Sequence, residues 1–259
     1  LTYNMVKLNK GDDMFKIFKR KRKAVLLIHG FAGGSYDYGE LANDLQMIDN
    51  FDVFTFTLPG HDKLIINKVT KEDWIKAAEA HIEKIIKNGY KEIYIIGHSM
   101  GGVIASYLAS RYPEVKKLVL ASPAFKYFSF KQDKLDILSS LKIIPKLFKE
   151  YSSEEILSRV FKIPVPTINE FMKLVKEHTN DVKNISCPTL IIYGTNDELV
   201  PKDSINYVYD NIKSKSVKLV VFKGLTHDLF INDRYQEVKD LITKFLTNIN
   251  FNVKEKNKL

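Results

Sequence analysis

The stretch Ile93-Tyr94-Ile95-Ile96-Gly97-His98-Ser99-Met100-Gly101 decides the fold of this chain. Its first four residues are apolar and mostly β-branched, which predicts a buried strand. Residues 102–109 continue with small and apolar side chains and predict a helix that ends near Pro113. A serine in a tight turn from strand to helix projects at the carboxyl edge of a sheet. The flanking strand and helix therefore favour a nucleophilic Ser99 over an ordinary serine in a turn of small residues.

The composition is typical of one folded domain. The 259 residues are 45% hydrophobic and 27% charged, enough for a single α/β domain with a sizeable core, and no apolar run approaches a membrane span. The net charge of +9 comes from scattered lysines, so we expect no nucleic-acid partner, although the basic surface allows transient contact with an anionic lipid surface. The single cysteine, Cys187, and the absence of a signal-like apolar segment near Leu1 predict a reducing, cytoplasmic location.

Strand and helix patterns alternate along the chain. Buried strands are predicted at residues 24–28, 51–56, 93–96, 117–122, 189–193 and 217–222, with a further strand at 14–18 paired with 4–8. Helices are predicted at residues 36–46, 102–109, 201–212 and 235–249, and after Thr70, which can act as a cap. Such alternation is typical of an α/β fold with a mostly parallel sheet and helices on both faces.

One segment, residues 123–185, breaks this alternation. It carries short helix-like pieces, no clear strand, and many aromatic and aliphatic side chains. We interpret it as a cap insertion between two sheet strands, so that residues 1–122 and 186–259 form the core domain. Because its apolar side chains exceed what a surface insertion needs for folding, we expect some of them to face the cleft. Candidates for this substrate-binding surface are Phe125, Phe128, Phe161 and Met172.

A nucleophilic serine needs a base within hydrogen-bond reach and a third group that orients the base. Among the six histidines, His227 stands in the loop after the last predicted strand, at the same sheet edge as Ser99. We expect His29 and His98 to serve the geometry of their own turns. His81 lies on an apolar helix face, where a packed core histidine is the favoured interpretation.

The orienting acid is expected in a loop after an intervening strand. Asp197 directly follows the strand predicted at residues 189–193. Weaker candidates for the acid are Glu198, Asp203 and Asp228. The chain order is then Ser99, Asp197 and His227, in which strands and helices separate the three groups.

The oxyanion that forms on acyl attack needs two fixed hydrogen-bond donors. One predicted donor is the backbone N–H of Met100, directly after the nucleophile. The other is the N–H of Phe31, in the glycine-rich loop at residues 29–34, whose glycines allow the backbone to approach a substrate closely. A phosphate-binding role for this loop is disfavoured because it lacks the G-x-G-x-x-G spacing and the P-loop lysine. This chemistry requires no metal and no organic cofactor.

These motifs together resemble those of the α/β-hydrolases. The matching residues are His29-Gly30-Phe31, the G-x-S-x-G around Ser99, Asp197 in a G-x-x-D-x-x-V-P setting, and His227. More closely, residues 23–246 are similar to bacterial carboxylesterases and monoacylglycerol lipases with a small helical cap. The resemblance implies a cap between the strands at 117–122 and 189–193, where the apolar insertion lies. One departure is Pro59-Gly60-His61-Asp62, where many relatives have a second glycine, but no catalytic position is affected.

We therefore expect a serine ester hydrolase that cleaves apolar acyl esters through an acyl-enzyme on Ser99. Its partner would be a small-molecule acyl ester or a monoacylglycerol. The same scaffold hosts thioesterases and C–C bond hydrolases, and a non-catalytic binding protein is the alternative from another class. Pure binding would not need a nucleophile, an acid, a base and two oxyanion donors together.

Overall fold

The computed structural model describes residues 22–61, 69–126 and 165–248, and the backbone of short segments at 6–7, 130–131 and 134–135. The strands within this part are β1 (Val6–Lys7), β2 (Lys23–Ile28), β3 (Phe51–Thr55), β4 (Ile93–His98), β5 (Val115–Ala121), β6 (Phe130–Lys131), β7 (Lys134–Leu135), β8 (Thr189–Gly194) and β9 (Val217–Phe222). The α-helices are α1 (Leu41–Gln46), α2 (Lys71–Lys87), α3 (Met100–Arg111), α4 (Val165–His178), α5 (Lys202–Asn211) and α6 (Tyr235–Thr247). Two 3₁₀ helices span Ser35–Tyr38 and Thr179–Asn184.

The central sheet has the strand order β1-β3-β2-β4-β5-β8-β9. β1 is antiparallel to β3, and the other neighbouring pairs are parallel. Side chains alternate along β2, so that Leu26 and Ile28 join one buried cluster whereas Val25 and Leu27 join the other. Helices α2 to α5 contribute to the first cluster, and α1 and α6 to the second. The predicted α/β-hydrolase architecture, a mostly parallel sheet with helices on both faces, is confirmed.

Helix α2 begins at a capping box and buries one face. The Thr70 hydroxyl accepts a hydrogen bond from the Asp73 N–H, and the Asp73 carboxylate accepts one from the Thr70 N–H. On the buried face, His81 donates from Nδ1 to the Ala77 carbonyl at 2.7 Å and stacks on Phe56 with ring centroids 4.0 Å apart. Burial lowers the pKa of His81. His81 is therefore the packed core histidine that the sequence predicts.

The turn from β4 to α3 packs tightly against its surroundings. A Cβ atom at Gly101 would lie 1.9 Å from the carbonyl oxygen of Ile28 in β2. A Cβ atom at Gly97 would lie 2.4 Å from the Gly101 carbonyl oxygen. Because both obstacles are backbone atoms, neither can rotate away, and the close approach of helix and strand requires glycine at both ends of the motif.

The segment interpreted as an insertion leaves and re-enters the sheet between neighbouring strands. β5 pairs directly with β8, with Leu118 opposite Thr189. The sequence shows no clear strand in residues 123–185, whereas the structure has a short antiparallel pair there, β6 with β7. Strands of two residues are too short to produce a visible pattern of alternation. The division into core and cap stays a prediction, and Phe128 and Phe161 lie outside the described residues.

Two other local predictions concern β1 and the helix at residues 36–46. In β1, Val6 lies opposite Thr55 of β3, and the predicted pairing of residues 4–8 with 14–18 stays a prediction because residues 14–18 lie outside the described part. The helix predicted at 36–46 is divided into the 3₁₀ helix and α1, because Gly39 between them adopts a positive φ of 49°. Within the described ranges, no helix is long and apolar enough to cross a membrane.

We predict that Gly101→Ala lowers the free energy of unfolding by about 3 kcal/mol or prevents folding, because its methyl group would overlap the Ile28 carbonyl. Gly89→Ala is the matched control. Gly89 has a positive φ of 92°, but nothing lies within 4 Å of the position that a methyl group would take there, so only backbone strain of about 1 kcal/mol is expected. Urea unfolding of both variants measures the difference, and equal stabilities would contradict the close approach.

Candidate active site

Ser99 occupies a strained turn between β4 and α3. Its backbone has φ 55° and ψ −118°, a conformation that residues other than glycine rarely adopt. Three hydrogen bonds hold this geometry. The Ser99 N–H donates to the Ala121 carbonyl at 2.9 Å, and the Ser99 carbonyl accepts from the N–H groups of Gly102 at 3.0 Å and Ala124 at 3.1 Å. The end of β5 therefore fixes the serine that the sequence singles out.

Asp197 and His227 form a buried pair at the same edge of the sheet. His227 donates from Nδ1 to the Asp197 carboxylate, with both oxygens at 3.0 Å. The Asp197 side chain is 0% exposed and that of His227 is 7% exposed. The Asp197 Oδ1 also accepts the N–H groups of Leu199 at 3.0 Å and Val200 at 2.8 Å. With the proton held on Nδ1, the Nε2 atom of His227 is left as a proton acceptor.

Electrostatics favour the charged forms of this pair. Burial opposes charge on both groups, but the attraction between the two side chains and their hydrogen bonds outweigh it. The pKa of the Asp197 carboxyl is therefore lowered, and the pKa of the His227 imidazole is raised. The carboxylates of Glu198 and Asp228 add to the increase in the pKa of His227.

The alternative acids do not share the position of Asp197. Glu198 accepts a hydrogen bond from the backbone N–H of His227 at 3.4 Å, rather than from its ring. Asp203 lies in the first turn of α5. Asp228 follows His227 in its loop and contributes charge to the surroundings of the ring. Of the four candidates, Asp197 is the one whose carboxylate receives the imidazole N–H.

His98 makes a contact that the sequence did not reveal. The sequence predicts that it serves the geometry of its own turn, and its Nε2 also lies 3.1 Å from the backbone carbonyl oxygen of His227, 129 residues away. The two imidazole rings have centroids 4.7 Å apart. Because His98 directly precedes Ser99, the contact brings the loop of His227 against the serine turn. No sequence signal could have found this pairing, since it depends on how two distant loops meet.

The loop after β2 passes close to Ser99. A Cβ atom at Gly30 would lie 3.1 Å from the Ser99 Cβ. His29 fixes this loop, because its Nδ1 donates to the Gly30 carbonyl at 2.8 Å and its Nε2 accepts the N–H of Leu58 at 2.9 Å. Burial lowers the pKa of His29 to about 3, so the ring stays neutral and keeps both bonds. Phe31, the predicted oxyanion donor, follows directly in this loop.

Met100 is the first residue of α3. The N–H groups at the start of a helix have no partner within the helix, and the helix dipole favours negative charge there. These groups include the N–H of Met100, whose role as an oxyanion donor stays a prediction. Among the described residues, no group of three or more His, Cys, Asp or Glu side chains is arranged to hold a metal ion.

An aromatic cluster joins the loop of Phe31 to the segment after β5. The Phe31 ring stacks on Phe171 of α4, with centroids 4.9 Å apart and planes inclined by 20°. Trp74 and His61 present their edges to Phe31 at 6.0 Å and 5.9 Å. Phe171 was not among the predicted lining residues, although it was visible as one of many apolar residues in the insertion. Which of these residues stacks on Phe31 depends on tertiary packing.

The two predicted lining residues that the structure describes differ in their surroundings. Phe125 is buried, and its N–H donates to the Ser204 hydroxyl of α5 at 2.8 Å. Its ring lies 6.4 Å from that of Tyr207 in the same helix. Met172 in α4 is partly exposed. Contact of either side chain with a substrate stays a prediction.

Comparisons with known proteins identify relatives and solved structures that this chain resembles. A carboxylesterase of Bacillus subtilis is 26% identical over 244 residues, covering 90% of this chain and 96% of the relative. A monoacylglycerol lipase of Mycolicibacterium smegmatis is 24% identical and covers 87% of this chain and 88% of its own. The crystal structure of a monoacylglycerol lipase from Paleococcus ferrophilus superposes with a TM-score of 0.69 at 19% identity, covering 95% and 98% of the two chains.

The family assignment rests on most of the chain. The family described as serine aminopeptidase, S33, matches residues 19–234, from before β2 to the start of α6. This range contains the serine turn, the aspartate–histidine pair and the loop of Phe31. The predicted resemblance to carboxylesterases and monoacylglycerol lipases is confirmed by the relatives. The chain belongs to the serine aminopeptidase S33 family of α/β-hydrolases.

Proposed function

We propose that this protein is a serine hydrolase of apolar carboxylic esters, with Ser99 as nucleophile, His227 as base and Asp197 as orienting acid. The observation that carries the proposal is the buried Asp197–His227 pair. Because His227 donates from Nδ1 to Asp197, its Nε2 atom is left to accept a proton beside the serine turn. The names of the relatives support ester hydrolysis rather than another reaction of this fold.

In the proposed reaction, the Ser99 oxygen attacks the ester carbonyl carbon while its proton passes to Nε2 of His227. The carbonyl electron pair moves onto oxygen, and a tetrahedral intermediate forms. When the carbonyl re-forms, the C–O bond to the alcohol breaks and the alcohol leaves with the proton from His227. Water, deprotonated by the same Nε2, then attacks the acyl-enzyme and releases the acid and the free serine.

The backbone N–H groups of Phe31 and Met100 would stabilise the oxyanion in both steps. Two features support this role. The loop of Phe31 lies against Ser99 through Gly30, and Met100 begins the helix that follows the serine. Both donors belong to backbone that is held in place before substrate binds, so little reorganisation is needed as charge develops.

The proposed substrates are apolar acyl esters, with monoacylglycerols included. The Phe31 ring, which is partly exposed and packs on the buried ring of Phe171, provides an apolar surface next to the proposed oxyanion site. Each buried methylene of an acyl chain would contribute about 0.8 kcal/mol to binding. Phe125 and Met172 remain proposed contacts. The net charge of +9 supports transient contact with an anionic lipid surface, and the free Cys187 supports a reducing, cytoplasmic environment.

Two other reaction classes need separate tests. Thioesters and C–C bonds are cleaved on the same scaffold, and the family takes its description from an aminopeptidase. A non-catalytic binding protein is disfavoured because burying the Asp197 carboxylate and the His227 imidazole as a pair costs stability without a catalytic use. A panel containing acyl esters of increasing length, a monoacylglycerol, a thioester and an aminoacyl amide would rank these classes by kcat/KM.

We predict that Ser99→Ala abolishes turnover of every ester in this panel and labelling by a fluorophosphonate probe, because the attacking oxygen is lost. Circular dichroism should show an unchanged fold, since the substitution removes one small hydroxyl and keeps the Cβ. Ser106→Ala in α3 is the control. Its hydroxyl donates to the Gly102 carbonyl within the same helix, so activity should persist. Ester turnover by Ser99→Ala within tenfold of wild type would contradict the proposal.

We predict that Asp197→Asn lowers kcat by about four orders of magnitude, because an amide favours the wrong tautomer of His227. Glu198→Gln is the matched change at the neighbouring carboxylate, which contacts the backbone N–H of His227 rather than its ring. It should lower kcat by less than about tenfold. Steady-state kinetics on one ester would compare the two variants, and a larger loss from Glu198→Gln would show that the acid is misassigned.

We predict a pH–rate profile that falls on the acid side with a midpoint above 6.5. The pKa of His227 is raised from its ordinary value of 6.5, so protonation removes the base at a higher pH than for a free imidazole. Below the midpoint, kcat/KM should fall about tenfold for each pH unit. Initial rates from about pH 5 to about pH 9 measure this profile. A midpoint below that of a free imidazole, or a flat profile, would argue against His227 as base.

A further inference from the structure

We propose that His98 is a positioning residue, whose Nε2–H holds the backbone carbonyl of His227 and so fixes the base relative to Ser99. The inference rests on the proposed function, because it assigns a role to the residue before the nucleophile in the same reaction. The hydrogen bond joins the serine turn directly to the loop of the base. The hydrogen bond of 3.1 Å spans 129 residues of sequence.

The direction of this hydrogen bond determines the state of the His98 ring. A backbone carbonyl only accepts, so Nε2 must carry the proton and donate. Burial, followed by the charge of the neighbouring His227, lowers the pKa of His98 to about 4. The ring therefore stays neutral in one tautomer at neutral pH. It can keep donating when His227 takes up the proton of Ser99, without adding a second positive charge.

The surroundings of His98 hold the ring in one orientation. The residue is 4% exposed, the His227 ring lies 4.7 Å away, and Phe230 presents its edge at 5.5 Å. The backbone of the next residue, Ser99, is itself held by three hydrogen bonds. Because both the ring and its backbone are held in place, the ring can fix the position of the His227 carbonyl that accepts its hydrogen bond. A displacement of about 1 Å in a catalytic group can reduce a rate by about a hundredfold.

A role in packing alone does not explain this side chain. The Nδ1 atom of His98 is buried without a hydrogen-bond partner in the described part of the chain. A buried polar atom that lacks a partner destabilises the fold, and an apolar ring at this position would avoid that penalty. What histidine offers over such a ring is the donor at Nε2. The contact made by that donor is the carbonyl of the proposed base.

The test compares variants that keep or lose this donor. His98→Phe keeps a planar ring without a donor, and His98→Gln places an amide N–H near the position of Nε2. Phe230→Leu is the packing control, because it changes an apolar neighbour of the ring and leaves the donor intact. For each variant we would measure kcat and KM on one ester, the rate of fluorophosphonate labelling of Ser99, and stability in urea.

We expect His98→Phe to lower kcat and the labelling rate by about a hundredfold with KM changed less than about threefold, because substrate contacts are intact. His98→Gln should recover most of the loss, and Phe230→Leu should keep kcat within about threefold of wild type. If His98→Phe does not fold, His98→Asn replaces it, since its shorter amide cannot reach the carbonyl. An active His98→Gln variant together with an inactive His98→Asn variant would then support the positioning role of His98.

Two results would overturn the proposal. One is wild-type kcat in His98→Phe, whether or not its stability is reduced, and the other is an equal loss of kcat in His98→Gln and His98→Phe. Failure of the proposed function has a different signature, which is wild-type protein that cleaves no ester or Ser99→Ala that retains turnover. The labelling rate separates the two, because it reports the activation of Ser99 without requiring the correct substrate.

Discussion

The strained backbone at Ser99 is the constraint on which the site depends. A positive φ at a residue with a side chain is unfavourable and persists only where the surroundings enforce it. Here the enforcement comes from the end of β5, through the Ala121 carbonyl and the Ala124 N–H, and from the approach of α3 to β2 at Gly101. The mostly parallel sheet thus holds the Ser99 side chain at its edge. The acid, the base and the oxyanion donors need only be brought to this serine.

The loop of Asp197 and the loop of His227 are hydrogen-bonded to each other. The Thr195 N–H donates to the Phe222 carbonyl, and the Asn196 N–H donates to the Leu225 carbonyl, both at 3.0 Å. A Cβ atom at Gly194 would lie 2.1 Å from the Leu225 carbonyl oxygen. This close approach lets the fully buried Asp197 carboxylate receive the imidazole N–H of His227, in addition to two backbone N–H groups of its own loop. Such donors favour the ionised form and offset the unfavourable burial of its charge.

Much of the fold and the local part of the site could be predicted from the sequence. Runs of β-branched residues indicated the central strands, and the serine turn, Asp197 and His227 were recognisable because each lies in a loop or turn after a strand. Contacts between distant segments could not be predicted. The pairing of Val6 with Thr55, the bond from His98 to His227 and the stack of Phe31 on Phe171 all depend on tertiary arrangement. Local periodicity carries no information about such contacts. The break at Gly39 was missed because glycine is tolerated in helical patterns.

The stacking of Phe31 on Phe171 has a consequence for how this enzyme could diversify. Phe31 belongs to the loop beside the nucleophile, whereas Phe171 belongs to the segment that connects β5 to β8. Connecting segments generally accept insertions and sequence changes more readily than the strands they join. Because the two rings are in contact, a segment taken from a relative would pack against a Phe31 that was not selected together with it. Exchanging this segment between relatives, by recombination or by engineering, would have to transfer residue 31 together with it.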